Sequence, residues 1–197
     1  MPNYVKNIVT ITGDKETIKK AKRSLIKKGE FSFNHIIPMP KSLNIESSSR
    51  VNDAINAIKG GRKTLKEWRE ERLENWGAEQ VDATISMART AIKNIKKYQA
   101  QDWYDWSRYN WGTKWDADEV KVETAPCEIK LVFDTAWSTP VPVFNAIAKK
   151  FPTLAISVEY ADEDLGYNCG TIVYEDGEMY GETDGDEEFA SDIWELY

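Results

Sequence analysis

Apolar residues recur at every second position at the start of the chain and at every third or fourth further on, and the switches between these two periods lay out the elements. Residues 4–12, YVKNIVTIT, are rich in β-branched side chains, with Val5, Val9 and Ile11 on one side, and predict a strand. Behind Asp14, a good N-cap, Ile18, Ala21, Leu25 and Ile26 fall at helical spacing with lysines on the wet side, and Gly29 reads as the stop. Residues 30–37 read as a second strand, closed by Pro38 and Pro40.

After a Ser- and Asn-rich loop, three amphipathic helices fill residues 51–99, punctuated by Gly60, Gly61 and Gly77. Strand patterns return at 119–124 and 128–133. Thr139 and Pro140 then predict the start of a helix whose apolar stripe is Val143, Phe144, Ile147, Ala148 and Phe151. A strand at 154–160 follows, and Asp176-Gly177 joins 170–174 to 178–183 as a hairpin. A last helix opens near Asp186, with Asp186, Glu187 and Glu188 at its positive end and Phe189, Ile193 and Leu196 expected to face inward, the last of these a side chain outside those the structure describes.

The order β-α-β, three helices, β-β-α-β, hairpin, helix predicts an α+β protein: an antiparallel sheet with helices on one face, close to a split βαβ plan. One domain over 1–197 is expected, with a first β-α-β in 1–40, a helical insertion at 51–99 and the rest of the sheet in 101–197. At 197 residues, 41% hydrophobic and 12% aromatic, the chain has ample material for a packed interior.

Charge changes the picture more than composition does. The formal net charge is −7, yet residues 151–197 hold fourteen Asp and Glu and no Lys or Arg, so the first 150 residues carry +7. An acidic stretch of this density repels phosphates, which makes direct nucleic-acid binding there unfavourable and a basic protein the fitting partner. Carboxylates of this stretch, on the hairpin, the last helix and the segment before them, namely Asp162, Glu163, Asp164, Glu175, Asp176, Glu178, Asp184, Asp186, Glu187 and Glu188, could imitate a phosphate backbone. Acidic surfaces are also common as merely solvated faces.

Residues 103–115 crowd Trp103, Tyr104, Trp106, Tyr109, Trp111 and Trp115 around Arg108 and Lys114. Such a cluster can anchor a partner or fill a core. Trp111 and Trp115, beside Gly112, read with Trp137 as core, and Trp103 and Trp106, among Asp102, Asp105 and Arg108, as partner anchors.

Catalytic chemistry finds little support. His35 is the sole histidine and sits beside the apolar Ile36-Ile37. Cys127 and Cys169 lie in no CxxC or Cys/His grouping and read as reduced strand thiols. The acidic runs lack the ordered spacing of a calcium loop. Gly60-Gly61-Arg62-Lys63-Thr64 lacks the GxxxxGK[ST] pattern and follows a helix, so it is set aside as a phosphate loop. No enzyme activity, cofactor or metal is expected. With no leader-like segment and no run of eighteen apolar residues, the reading is a cytoplasmic protein without a membrane span.

Three segments resemble one known family. PNYVKNIVTITGD with HIIPMP, the central WYDWSRYNWGTKWDA, and FDTAWSTPVPVFNAIAKKFP are similar to YubB-like proteins of phages and plasmids, although Thr139 stands where that pattern has Pro. The resemblance implies a ferredoxin-like C-terminal domain and a mobile-element origin. Together with the charge split it leads to the expectation of a non-enzymatic inhibitor of a host defence or nucleic-acid-handling protein, of the anti-CRISPR kind, with a basic partner such as a Cas nuclease. The alternative is a nucleic-acid-binding accessory protein using the basic N-terminal helix and the Trp/Tyr-rich segment.

Overall fold

The computed structural model describes residues 3–196. They fall into two compact units, Met1–Pro38 with Ser107–Tyr197, and Met39–Trp106.

In the first unit, six strands form one antiparallel sheet in the order β4-β5-β1-β6-β7-β8. They are β1 (Tyr4–Thr12), β4 (Asp118–Ala125), β5 (Glu128–Ala136), β6 (Ala155–Asp162), β7 (Cys169–Glu175) and β8 (Glu178–Asp184), and a separate two-stranded ribbon pairs β2 (Ile26–Lys27) with β3 (Glu30–Phe31). The first strand of the chain is a central one: Val9 lies opposite Leu131 on β5 and Val158 on β6. It takes that place because Val5, Ile8, Val9 and Ile11 need cover on both faces, and only an interior strand supplies it.

Alternation along the strands sends successive side chains to opposite faces. On one face Phe133 meets Phe31 and Phe33, with ring centroids 5.4 and 5.7 Å away, and Phe144 lies 6.5 Å from both Phe133 and Tyr174. Phe144 belongs to α6 (Val141–Lys150), which covers this face together with α1 (Lys15–Leu25), whose Ile18, Ala21 and Leu25 are buried. On the other face Ile8, Val132, Ala161 and Cys169 pack against Ala190 and Ile193 of α7 (Glu187–Leu196). The fold class is the expected α+β with an antiparallel sheet, and to the helices on one face α7 adds a partial cover on the other.

Three local expectations need correction. Residues 30–37 are not one strand: β3 stops at Phe31, and Phe33–His35 form a 3-10 turn capped by the Ser32 hydroxyl, which accepts from the Asn34 amide. The cause is distant in sequence, since the Asp116 carboxylate accepts from the Phe33 amide at 2.6 Å and from the Ser32 hydroxyl at 2.5 Å, pulling the backbone out of the ribbon. The helix before it ends at Leu25 and not at Gly29, because Lys28 and Gly29, both at positive φ, form the tight turn of the ribbon. Thr139 does not cap α6. Its hydroxyl donates to the Asn7 side chain at 2.5 Å, and Pro140 holds the cap position with no side-chain bond.

The second unit is helical. It contains α2 (Ser49–Ile58), α3 (Leu65–Trp76) and α4 (Ala78–Tyr98), so the stretch read as an insertion lies within it. Val51, Ala54, Ile55, Trp68, Val81, Ile85 and Ala88 form its buried core. At the head of α3, Thr64 and Glu67 cap each other reciprocally. The remaining helix, α5 (Trp103–Asn110), spans the division between the units, and Asp102 caps it by accepting from the amides of Tyr104 and Asp105.

Candidate protein-binding edge

The sheet ends at β8, an edge strand with all seven residues exposed. An edge presents unpaired backbone groups, and carboxylates along it oppose indiscriminate strand addition. Here Glu178, Glu182 and Asp184 lie on the strand itself, and Glu175 and Asp176 lie at the turn that leads into it. That turn is tight by necessity, with Asp176 at φ 49° and Gly177 at φ 83°. At the far end of the strand come Asp186, Glu187 and Glu188; Asp186 accepts from the Phe189 amide at 2.9 Å and so caps α7, where negative charge is favoured. Tyr180, 78% exposed, stands in the middle of the strand beside the exposed Met179.

Two of the predicted site residues lie elsewhere in character. Asp162 is only 6% exposed; its carboxylate accepts from the side-chain amides of Asn3 at 3.3 Å and Asn168 at 3.1 Å, and from the Asp164 amide at 3.0 Å. It holds the β6–β7 loop in shape and has no surface to offer. Trp106, read as an anchor, is 5% exposed and equally unavailable, because one face of an eight-residue helix must be buried and Trp106 and Ser107 lie on it. Trp103 is half-buried with its ring edge-on to Tyr104. Glu163 and Asp164 are exposed on the loop after β6, where the Glu163 carboxylate accepts from the Tyr4 amide at 3.2 Å.

The aromatic segment beyond α5 is structural at Trp111, which is buried and donates from Nε1 to the Ile37 carbonyl at 2.9 Å. Gly112 follows at φ 78°, where an added Cβ would press on Pro142. Trp137, read as core, is exposed, and Lys114 lies over it and over the half-buried Trp115 at 5.1 and 4.5 Å.

Burial and carboxylates shape the protonation of the two strands behind the edge, β6 and β7. Burial, with Glu182 beside it accepting from its hydroxyl at 3.3 Å, pushes the Tyr160 phenol up to about 12. Burial likewise raises Tyr174, whose hydroxyl has no partner among the described residues. The Cys169 thiol is raised first by burial and then by Asp186 and Asp184, which disfavours a reactive thiolate. Cys169 is buried, and Cys127, read as a strand thiol, is exposed in the β4–β5 turn. His35 is satisfied by the Leu25 carbonyl, 3.0 Å from Nδ1. Among the described residues no group of three His, Cys, Asp or Glu could hold a metal ion, and no helix is long and apolar enough to cross a membrane.

A six-stranded antiparallel sheet, with β1 inserted between β5 and β6 and helix α6 crossing between those two strands, is a split βαβ arrangement and places the chain in the ferredoxin-like class. In agreement, residues 110–196 match the model of a family described as the ferredoxin-like domain in Api92-like protein. The match leaves β1, α1 and the helical unit outside. A similar solved structure is that of Api92 from Yersinia pseudotuberculosis, 14% identical, with a TM-score of 0.47, covering 94% of this chain and 98% of that one. No curated protein matches the chain.

Proposed function

We propose that this protein is a non-enzymatic binding protein that occupies a basic, nucleic-acid-handling surface of another protein. The observation that carries the reading is the β8 edge: seven consecutive exposed residues bearing three carboxylates, with five more at its two ends, in a 47-residue stretch without a single Lys or Arg. Carboxylates fixed on a strand, a tight turn and a helix start are held at set spacings, as complementarity to an Arg/Lys-lined groove requires. Tyr180 supplies the aromatic contact that the buried Trp106 does not.

The finer form of the proposal is a mobile-element inhibitor of a host defence protein, such as a Cas nuclease, acting by occlusion of its nucleic-acid channel. The test is the affinity for a purified basic nuclease, measured from low to high salt, with competitor DNA. The complex should weaken steeply with salt and be displaced by DNA, and reversing charge at Glu175, Asp176 and Glu178 should cost roughly tenfold or more in affinity with no fall in melting temperature. A salt-insensitive complex, or a charge-reversed variant that binds as the parent does, would overturn the proposal.

A further inference from the structure

Within the helical unit, the end of α2, the Gly60-Gly61 turn and the side of α3 enclose a hollow of about 540 Å³, a size at which pockets take small organic ligands. Its wall carries Lys59, Arg62, Lys63 and Arg72 against Asp53 alone. Lys63 pairs with Glu71, outside the hollow, and Arg72 stands 3.8 Å from Asp53. Setting those two carboxylates against the four cations leaves an excess of two positive charges, in a chain whose net charge is −7.

The backbone does not explain this charge. The carbonyls at the end of α2 are taken up by the amides of Lys59, Gly60 and Gly61, and the Thr64–Glu67 box satisfies the head of α3. The potential in the hollow is therefore that of its side chains. The turn itself is built for close approach: Gly60 sits at φ 77°, and a Cβ on Gly61 would lie 2.9 Å from the Asn56 carbonyl oxygen.

A second, independent observation lies in the same wall. Trp68, 3% exposed, and Arg72 both belong to the lining, and each carries a buried donor, Nε1 and Nε respectively, that has no acceptor among the described residues. Buried donors without acceptors are rare because each costs about 1–3 kcal/mol, so two in one wall mark a place suited to an acceptor-rich group. Arg72 is also oriented by the Trp76 ring, 5.1 Å from its guanidinium carbon.

We infer that this hollow binds the phosphate group of a small phosphorylated organic molecule, with Arg62, Arg72 and Lys59 as its cationic partners and the exposed Asn56 and Gly60-Gly61 turn beside the organic body. A phosphate monoester carries about −1.5 to −2 charge, which neutralises the excess of two, whereas a monocarboxylate leaves half of it unbalanced. Guanidinium groups supply paired donors that match the oxygens of such a group. The Gly-Gly-Arg-Lys-Thr run set aside for want of the phosphate-loop pattern thus reaches the same chemistry through side chains instead of a backbone cradle.

The test is calorimetric titration of the full chain with adenosine 5′-monophosphate, glucose 6-phosphate, inorganic phosphate and adenosine. At least one of the two phosphate esters should bind saturably, at one per chain and more tightly than inorganic phosphate, and adenosine should give no heat. Arg62→Gln and Lys59→Gln, both at exposed positions, should each weaken binding by about tenfold while the circular dichroism stays unchanged. No saturable heat from any of the three phosphate compounds would overturn the inference, as would Arg62→Gln and Lys59→Gln variants that bind as the parent does. Tighter binding of a DNA oligonucleotide with no response to either ester would reassign the cations to a polymer backbone.

Discussion

In the helical unit, twelve Lys and Arg accompany ten Asp and Glu, and five of its ion pairs join residues of that unit: Arg50–Glu46, Lys63–Glu71, Lys66–Glu70, Arg69–Asp82 and Arg72–Asp53. The sheet unit arranges charge differently, for its last 47 residues hold fourteen carboxylates and no cation of their own. The difference teaches that the count of charges matters less than how they are held. Mixed charges neutralise one another and leave a small excess confined to a hollow, whereas segregated charges on an edge strand project a field. The two units also differ in how they cohere, by helix packing between sequence neighbours in one and by strand pairing across more than a hundred residues in the other.

The strongest challenge to that contrast in cohesion is Phe133→Ala. Phe133 is fully buried and touches rings from α6, β3 and the 3-10 turn, so its loss should cost about 3–5 kcal/mol in denaturant unfolding. A cost below about 1 kcal/mol would show that long-range ring packing does not hold the sheet unit together.

Next in size is an alkaline effect. The Tyr160 phenol titrates at about 12, above its ordinary value near 10, so its neutral form contributes stability that is complete below pH 10 and lost as pH rises through 12. Tyr160→Phe should flatten this loss by on the order of 2 kcal/mol when stability is followed by urea melts from pH 9 to 12. If the two proteins lose stability in parallel, burial does not hold the Tyr160 phenol above its ordinary range.

The smallest effect carries the sharpest sign. Reversing charge at the edge with Glu178→Lys should raise stability by up to about 0.5 kcal/mol at low salt and by nothing at high salt, because it relieves repulsion among exposed carboxylates. Lys63→Ala in the helical unit, which breaks an exposed pair, should lower stability by no more than about the same amount. Equal signs for the two would erase the distinction between mixed and segregated charge.

Most elements were legible from period alone. The strands from Tyr4 and Glu128 and the helices from Lys15, Ser49 and Ala78 carry apolar patterns that their buried positions match, and the fully exposed strand from Glu178 is marked by the Asp176-Gly177 turn before it. What escaped depends on partners remote in sequence. Nothing near Phe33 announces that Asp116 will turn its backbone, and nothing near Thr139 announces Asn7. Strand order is hidden for the same reason, since β1 pairs with strands more than a hundred residues away. At the candidate edge the carboxylates on exposed turns and on β8 could be read directly, because a charge run with no cation needs no partner to be seen. Asp162 could not be told from its acidic neighbours, as its burial depends on Asn3 and Asn168. Trp106 misled because flanking charges marked its helix as wet, while helical rotation turns that ring inward.

The interior position of β1 sets a schedule for synthesis. This strand leaves the ribosome before both of its neighbours, β5 and β6, the second of which is complete only about 150 residues later. At 5–20 residues per second that delay is roughly 8–30 s, during which Val5, Ile8, Val9 and Ile11 have no complete sheet to enter. The helical unit lies wholly within that interval and closes on contacts of its own. A nascent chain of this protein thus carries a helical unit with its contacts already in hand and an apolar strand still unpaired, the kind of surface that makes an incomplete fold prone to aggregation.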